Sequence, residues 1–356
     1  MTPAQNTGAA DPARGHPGRL HLTTEDAANN SHTVGGFKSK AGGTAVRRAR
    51  QSPAAFLTSS LAPKLFLLSA SLLLAAGLAT AQRWRGSWGG GEGWRPEYET
   101  CRTAREIGSH STGTPNWTNE PGFDKDVFTF ARIRRDEEHH SSWSAGTWWT
   151  DFPDSDLNLS YRLQQMTSIK VDPNGRVLNL TDKELFDYPW IYMVEPGSLL
   201  LHDDEVPILR DYLLNGGVLM ADDFWGEKQW DAFHDQIKRV LPDREFVELE
   251  MSHPIFHCVF DLNVPKNMLQ TPNYRTGERS QYTHVTWENH DGEECTEMHV
   301  RAIFDDKGRI MVIATHNTDN GDGWEREGEY EYFFREFSEK RAFPLGINII
   351  FYLMTH

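Results

Sequence analysis

Two adjacent carboxylates and a tryptophan, in Asp222-Asp223-Phe224-Trp225, close an apolar run that follows a Gly-Gly turn (NGGVLMADDFWG, residues 215–226). Ligands of α/β sheets bind outside the carboxyl ends of the strands, so chemistry is sought here first. Crowded carboxylates offer two kinds. They hold a divalent metal, or without one they raise each other's proton affinity and act as an acid/base pair. Other stretches carry groups of the same sort: Asp151 and Asp154 in TDFPDSD, Glu195 after WIYMV, His253 and His257 in HPIFH, and His316 before a run of side-chain oxygens. Carboxylates with imidazoles suit a metal that activates water, and Asp222, Asp223 and His253 are the candidate ligands. Each residue also has an ordinary structural use. Asp154 can cap a helix, Asp222 can bind loop amides, and His253 before Pro254 can fix a turn. The run Asp319-Asn320-Gly321-Asp322-Gly323-Trp324-Glu325 has the oxygen density that calcium accepts but not the spacing of an EF-hand loop. Trp324 and the aromatic, acidic residues 330–337 (YEYFFREF) are expected to form a lid or a partner-binding helix, and Trp225 to line the same crevice.

The elements that must position these groups alternate strand and helix. Residues 127–133 (VFTFARI) read as a strand, and residues 154–168 as a helix with Leu159, Leu163 and Met166 on one face. Residues 177–180 and 190–194 (WIYMV) are the next strands, the latter as continuously apolar as a strand covered on both faces. A helix over 203–214 ends at Asn215-Gly216, a strand follows over 218–221, Trp230, Phe233, Ile237 and Val240 mark another helix, and residues 246–249 are a fifth strand. This series predicts a doubly wound, mainly parallel α/β sheet. Residues 300–304 and 309–314 read as a hairpin that extends the sheet antiparallel, and residues 344–354 as a buried C-terminal helix too short to span a membrane. If the order is flavodoxin-like, with the first strand beside the third, Asp151, Asp154, Glu195, Asp222 and Asp223 leave the sheet close together.

Composition narrows the classes. Of 356 residues, 51 are acidic and 36 basic, a formal charge of -15, which argues against a nucleic-acid partner. Cys101, Cys258 and Cys295 show no paired-ligand spacing, so a zinc ribbon is not expected, while a Cys258–Cys295 bridge stays open. Four regions follow: an extension over 1–63, expected to be disordered or untranslated, with initiation near Val46; a signal peptide or membrane anchor over 64–81; a flexible Trp- and Gly-rich linker over 82–122; and an α/β domain over 123–356. Lys64, the apolar residues 65–78 and Ala79-Thr80-Ala81 form a secretory pattern with a cleavage site, so the protein is expected to be exported. Contact with the membrane runs only through residues 65–81, should they stay uncleaved.

Five separated motifs resemble one family: residues 148–171 (WWTDFPDSDLNLSYRLQQMTSIKV), NGGVLMADDFWG, HPIFH, residues 316–325 (HNTDNGDGWE) and residues 345–356 (LGINIIFYLMTH). The chain from about 124 to 356 is similar to a prokaryotic family of domains of unknown function, family 4159, which also occurs at the C-terminal end of membrane proteins related to aerotolerance regulators. The resemblance implies a fold like that of class I glutamine amidotransferases and no established activity. Those enzymes use a cysteine on a sharp turn, where this chain has Ala221-Asp222-Asp223-Phe224. Cys258 lies in an apolar stretch, where a thiol is a packing group. The expectation is therefore a non-catalytic, envelope-associated module that binds an envelope or membrane protein or a small ligand. No cofactor beyond a divalent metal is expected. The alternative is a metal-assisted hydrolase built on the carboxylate and histidine pocket.

Overall fold

The computed structural model describes residues 95–122, 126–135 and 147–356. The 1–63 extension, the 64–81 segment and the linker as far as Trp94 lie outside the described residues. Residues 95–122, the rest of the expected linker, pack against the domain through the buried Tyr98, Cys101, Ala104 and Ile107.

The strands in chain order are β1 (Ala131–Ile133), β2 (Arg176–Leu178), β3 (Trp190–Val194), β4 (Val218–Asp222), β5 (Val247–Glu248), the short ribbon β6 (Asn289–His290) and β7 (Glu293–Glu294), β8 (His299–Phe304) and β9 (Ile310–His316). Seven of them form one mixed sheet in the order β2-β1-β3-β4-β9-β8-β5. β2, β1, β3, β4 and β9 run parallel, while β8 and β5 are antiparallel additions at one edge. The first strand does lie beside the third. The fifth differs from expectation: β5 is a two-residue antiparallel edge strand, and β9 of the hairpin takes the parallel place beside β4. The reason is burial. All seven residues of β9 are buried, whereas Val247 is 53% exposed, and only an apolar strand can occupy a position covered on both faces.

The α-helices of six residues or more are α1 (Asp154–Met166), α2 (Glu205–Leu214), α3 (Gly226–Val240), α4 (Tyr274–Thr283), the short α5 (Asn320–Glu325) and α6 (Phe343–Thr355). Alternate residues of β3 feed two cores. Trp190, Tyr192 and Val194 pack with α1 through Leu159 and Leu163 and with α6 through Leu345, Ile347, Ile349 and Ile350. Ile191 and Met193 pack on the other face with Leu209 and Leu213 of α2 and with Phe233, Ile237 and Val240 of α3. Each fully buried aliphatic or aromatic side chain contributes about 1.5–3 kcal/mol, so the two layers hold the strand ends rigidly in register.

The aromatic run 330–337, expected as a lid or partner-binding helix, packs two of its rings into the core. It forms the turn Glu331–Phe333 and then a wide, π-helical stretch (Phe334–Ala342) that continues into α6. Phe333 and Phe337 are fully buried against Gly277 of α4, because the apolar positions of this run face inward once the chain continues as helix. Trp324 is likewise core, with its indole N–H donating to the Ala342 carbonyl at 2.8 Å. Among the described residues no helix is long and apolar enough to cross a membrane.

Candidate acidic site at the strand ends

Three of the parallel strands leave the sheet through a residue in the left-handed region, and a fourth such residue lies in the loop before α1. Asp151 (φ 61°) lies in the loop between β1 and α1, Glu195 (φ 45°) follows β3, Asp223 (φ 59°) follows β4 and Asn317 (φ 60°) follows β9. Such residues are strained unless their surroundings hold them, and that strain gathers at functional sites.

A fixed frame surrounds these exits. Arg132 of β1 is wholly buried and binds Asp156 of α1 through Nε (3.1 Å to each carboxylate oxygen) and Nη2 (2.5 Å), while Nη1 donates to the carbonyls of Trp148 and Thr150. This pins the loop that carries Asp151 to the start of α1. Asp222, the last residue of β4, is also inaccessible. It accepts from Thr315 Oγ1 (2.5 Å), Asn320 Nδ2 (2.7 Å), the amides of Asn320 (3.1 Å) and Gly321 (3.2 Å), and Tyr192 Oη (3.2 Å). Burial pushes its carboxyl up to about 6, although these donors favour the ionised form. With so many donors on it, Asp222 anchors the start of α5. Glu195 accepts from the Thr147 amide (2.6 Å) and Thr150 Oγ1 (2.5 Å), and Asp154 from Ser109 Oγ (2.5 Å) and the His110 amide (2.6 Å).

A buried acceptor without a donor, Asp151 Oδ2, lies within this frame. Carboxylate oxygens of Asp151, Asp223 and Asp319 all come within 4.8 Å of one another, and the same limit holds for Asp151, Asp322 and Glu325 and for His110, Asp154 and Glu325. Asp151 belongs to the first two sets and is their hinge. Burial, followed by repulsion from Asp322, raises its carboxyl well above the usual range; burial, with Glu195 and Asp151, does the same to Asp223; and burial, with Asp223 and Asp322, to Asp319. Asp223 Oδ1 accepts from Trp225 Nε1 (2.8 Å), and Asp319 Oδ1 from the Asp322 amide (2.7 Å). Arg326 offsets the rear of the cluster through Glu325 (2.8 Å) and Asp322 (3.4 Å).

Three sequence candidates lie elsewhere. His253 caps the 3₁₀ turn Pro254–Phe256 and packs on Tyr352 and Phe304. Phe304 pairs with Ile310 at the start of β9, whereas Asp222 lies level with its end, so His253 occupies the opposite end of the sheet. The structure therefore does not bring Asp222, Asp223 and His253 to one metal. His257 is exposed and bonded to Asp261 Oδ1 (2.5 Å) and the Met251 carbonyl (2.7 Å). His316 is buried on the α3 face between Phe224, Trp230 and His299. Its Nε2 lies 3.0 Å from the Gly226 carbonyl and its Nδ1 3.4 Å from Arg301 Nη1, which assigns the neutral tautomer with the proton on Nε2. Trp225 is stacked on His290 (5.5 Å, 6°) and bounds the site at Asp223.

Asp319, Asp322 and Glu325 were legible only as an oxygen-dense run, and their common destination at the β4 and β9 ends required the β4–β9 pairing. Arg132 and Arg326 carried no signal in the sequence. The thiols are packing groups. Burial raises the Cys101 and Cys258 thiols and pushes Cys295 up to about 11, and none of the three is paired in a disulfide.

No curated protein matches the chain. The model of the domain of unknown function DUF4159 matches residues 129–354, which take in every strand of the main sheet and the whole acidic cluster apart from its His110 edge. The chain is thus a member of the DUF4159 family.

Proposed function

We propose that this domain is a non-catalytic binding module, exported to the cell envelope by residues 64–81, whose ligand or protein partner presents positive charge to the carboxylates gathered at the strand ends. We also assign its sheet to the doubly wound, flavodoxin-like class of the class I glutamine amidotransferases, on the β2-β1-β3-β4 start of the strand order. One observation carries the binding reading: acidic side chains from separate strand exits, Asp151, Asp223 and Asp319, meet within 4.8 Å in a buried frame. Like charges at that distance repel by about 3 kcal/mol per ionised pair at an effective dielectric of 20. A bound proton or a cationic group relieves that repulsion, and a cation that displaces the proton gains binding energy from the relief.

The test is thermal unfolding of the full chain at fixed ionic strength against magnesium, calcium, manganese, spermidine and a lysine-rich peptide, with Asp223→Asn beside the native protein. Binding to the native state raises the melting temperature by linkage. Saturable stabilisation by at least one cation, lost in Asp223→Asn, is the expected result. Absence of a shift with every member of the panel would remove the reading. N-terminal sequencing of protein recovered from the envelope fraction tests export, with Gln82 as the expected mature terminus after cleavage.

A further inference from the structure

We infer that Asp151, Asp223 and Asp319 form a site for one hard divalent cation of the calcium and magnesium class. The inference rests on the binding reading above and names its ligand. Three features lead to it. The first is geometry: oxygens bound to one such ion at 2.0–2.6 Å are separated by no more than about 5 Å, and the three carboxylates meet within 4.8 Å. The second is a buried acceptor without a donor. Asp151 is 8% exposed, its Oδ2 has no hydrogen-bond partner, and Asp151 is the residue common to the two all-carboxylate clusters. A buried acceptor left unpaired costs free energy that a bound cation would recover.

The third feature is donor chemistry. The set holds carboxylate oxygens alone, with neither imidazole nor thiolate, which disfavours zinc and copper. The nearby cations are already engaged: Arg132 with Asp156, and Arg326 with Glu325 and Asp322. Asp151, Asp223 and Asp319 form no ion pair among the described residues. Asp322 and Glu325 bring two further carboxylates within 4.8 Å of Asp151. Gly321 completes the packing, since a Cβ there would overlap Asp151 Oδ2. That contact supplies a variant that moves the Asp151 carboxylate while leaving every charge in place.

The experiment uses the full-length protein, stripped with a chelator and titrated with Mn²⁺ by electron paramagnetic resonance, followed by competition with Ca²⁺ and Mg²⁺. One Mn²⁺ per chain is expected, displaced by Ca²⁺, Mg²⁺ or both, and the competition identifies which ion the site prefers. Affinity should fall at least tenfold in Asp151→Asn, Asp319→Asn and Gly321→Ala, and remain unchanged in Asp203→Asn, whose carboxylate is on the surface. The Asn variants remove a repelling acid, so in chelator they should melt no lower than the native protein, which separates lost binding from lost fold. Absence of stoichiometric Mn²⁺, or equal affinity in all variants, overturns the inference and leaves a shared proton as what holds the carboxylates together. If metals fail but spermidine or the basic peptide binds in an Asp223-dependent way, the metal site falls and the broader reading stands.

Discussion

His316 should make the fold acid-sensitive in a way one substitution can isolate. Burial, reinforced by Arg301 and His299, lowers its imidazole from 6.5 to about 3, so the folded protein keeps this ring neutral where the unfolded chain protonates it. Below 6.5 the unfolded state therefore binds the extra proton, and stability falls with falling pH until the folded ring titrates as well. Each unit corresponds to about 1.4 kcal/mol, so the loss is about 2 kcal/mol at pH 5 and approaches about 5 kcal/mol near pH 3. His316→Gln keeps an amide for the Gly226 carbonyl and an acceptor for Arg301 but cannot titrate. Urea unfolding of the chelated proteins near pH 7.5 and pH 5 gives the comparison. The gap between native protein and variant should shift by about 2 kcal/mol in favour of the variant on acidification. The raised carboxylates act with the opposite sign in both proteins and cancel in this difference. Parallel pH profiles would refute the assignment of a neutral, buried His316.

Three other outcomes follow from the same geometry. Arg132→Met leaves the buried Asp156 carboxylate uncompensated and should cost about 3–5 kcal/mol in urea unfolding, while the double variant Arg132→Met/Asp156→Leu recovers most of it. Gly277→Ala drives a methyl group into the Phe333 ring and should lower stability by about 1–3 kcal/mol, read as a lower melting temperature with unchanged far-UV dichroism. Cys295, pushed from 9.0 to about 11, should react with Ellman's reagent at least about 100-fold more slowly in the native protein than in urea, and a fast-reacting native Cys295 would contradict its packing role.

The local pattern was sufficient for the alternating strands and helices of residues 154–240, but not for α4 or the β6–β7 ribbon. WIYMV became β3, the 203–214 periodicity became α2 ending at Asn215, and the alternation of the two predicted the mainly parallel sheet, because burial on both faces selects continuous apolar strands and short links select parallel neighbours. The ends of elements were less legible. Residues 127–130 satisfy strand propensity, yet β1 is only Ala131–Ile133, with Phe128 held to Val171 by a single bridge.

Carboxylates at the ends of strands were visible in the chain as Asp151, Asp154, Glu195, Asp222 and Asp223. Tertiary structure decided which of them are frame and which form the cluster. Asp222 is consumed by five hydrogen bonds, four of them from residues more than 90 positions away, while Asp151 and Asp223 are left to meet Asp319. The position of β9 decided this. Once its apolar residues enter beside β4, Asp319 is carried to Asp223, and Phe304 leaves His253 at the far end of the sheet. Periodicity specifies that a segment is buried, but the choice between a central and an edge position depends on the strands competing for it. That competition is settled only when the whole sheet forms.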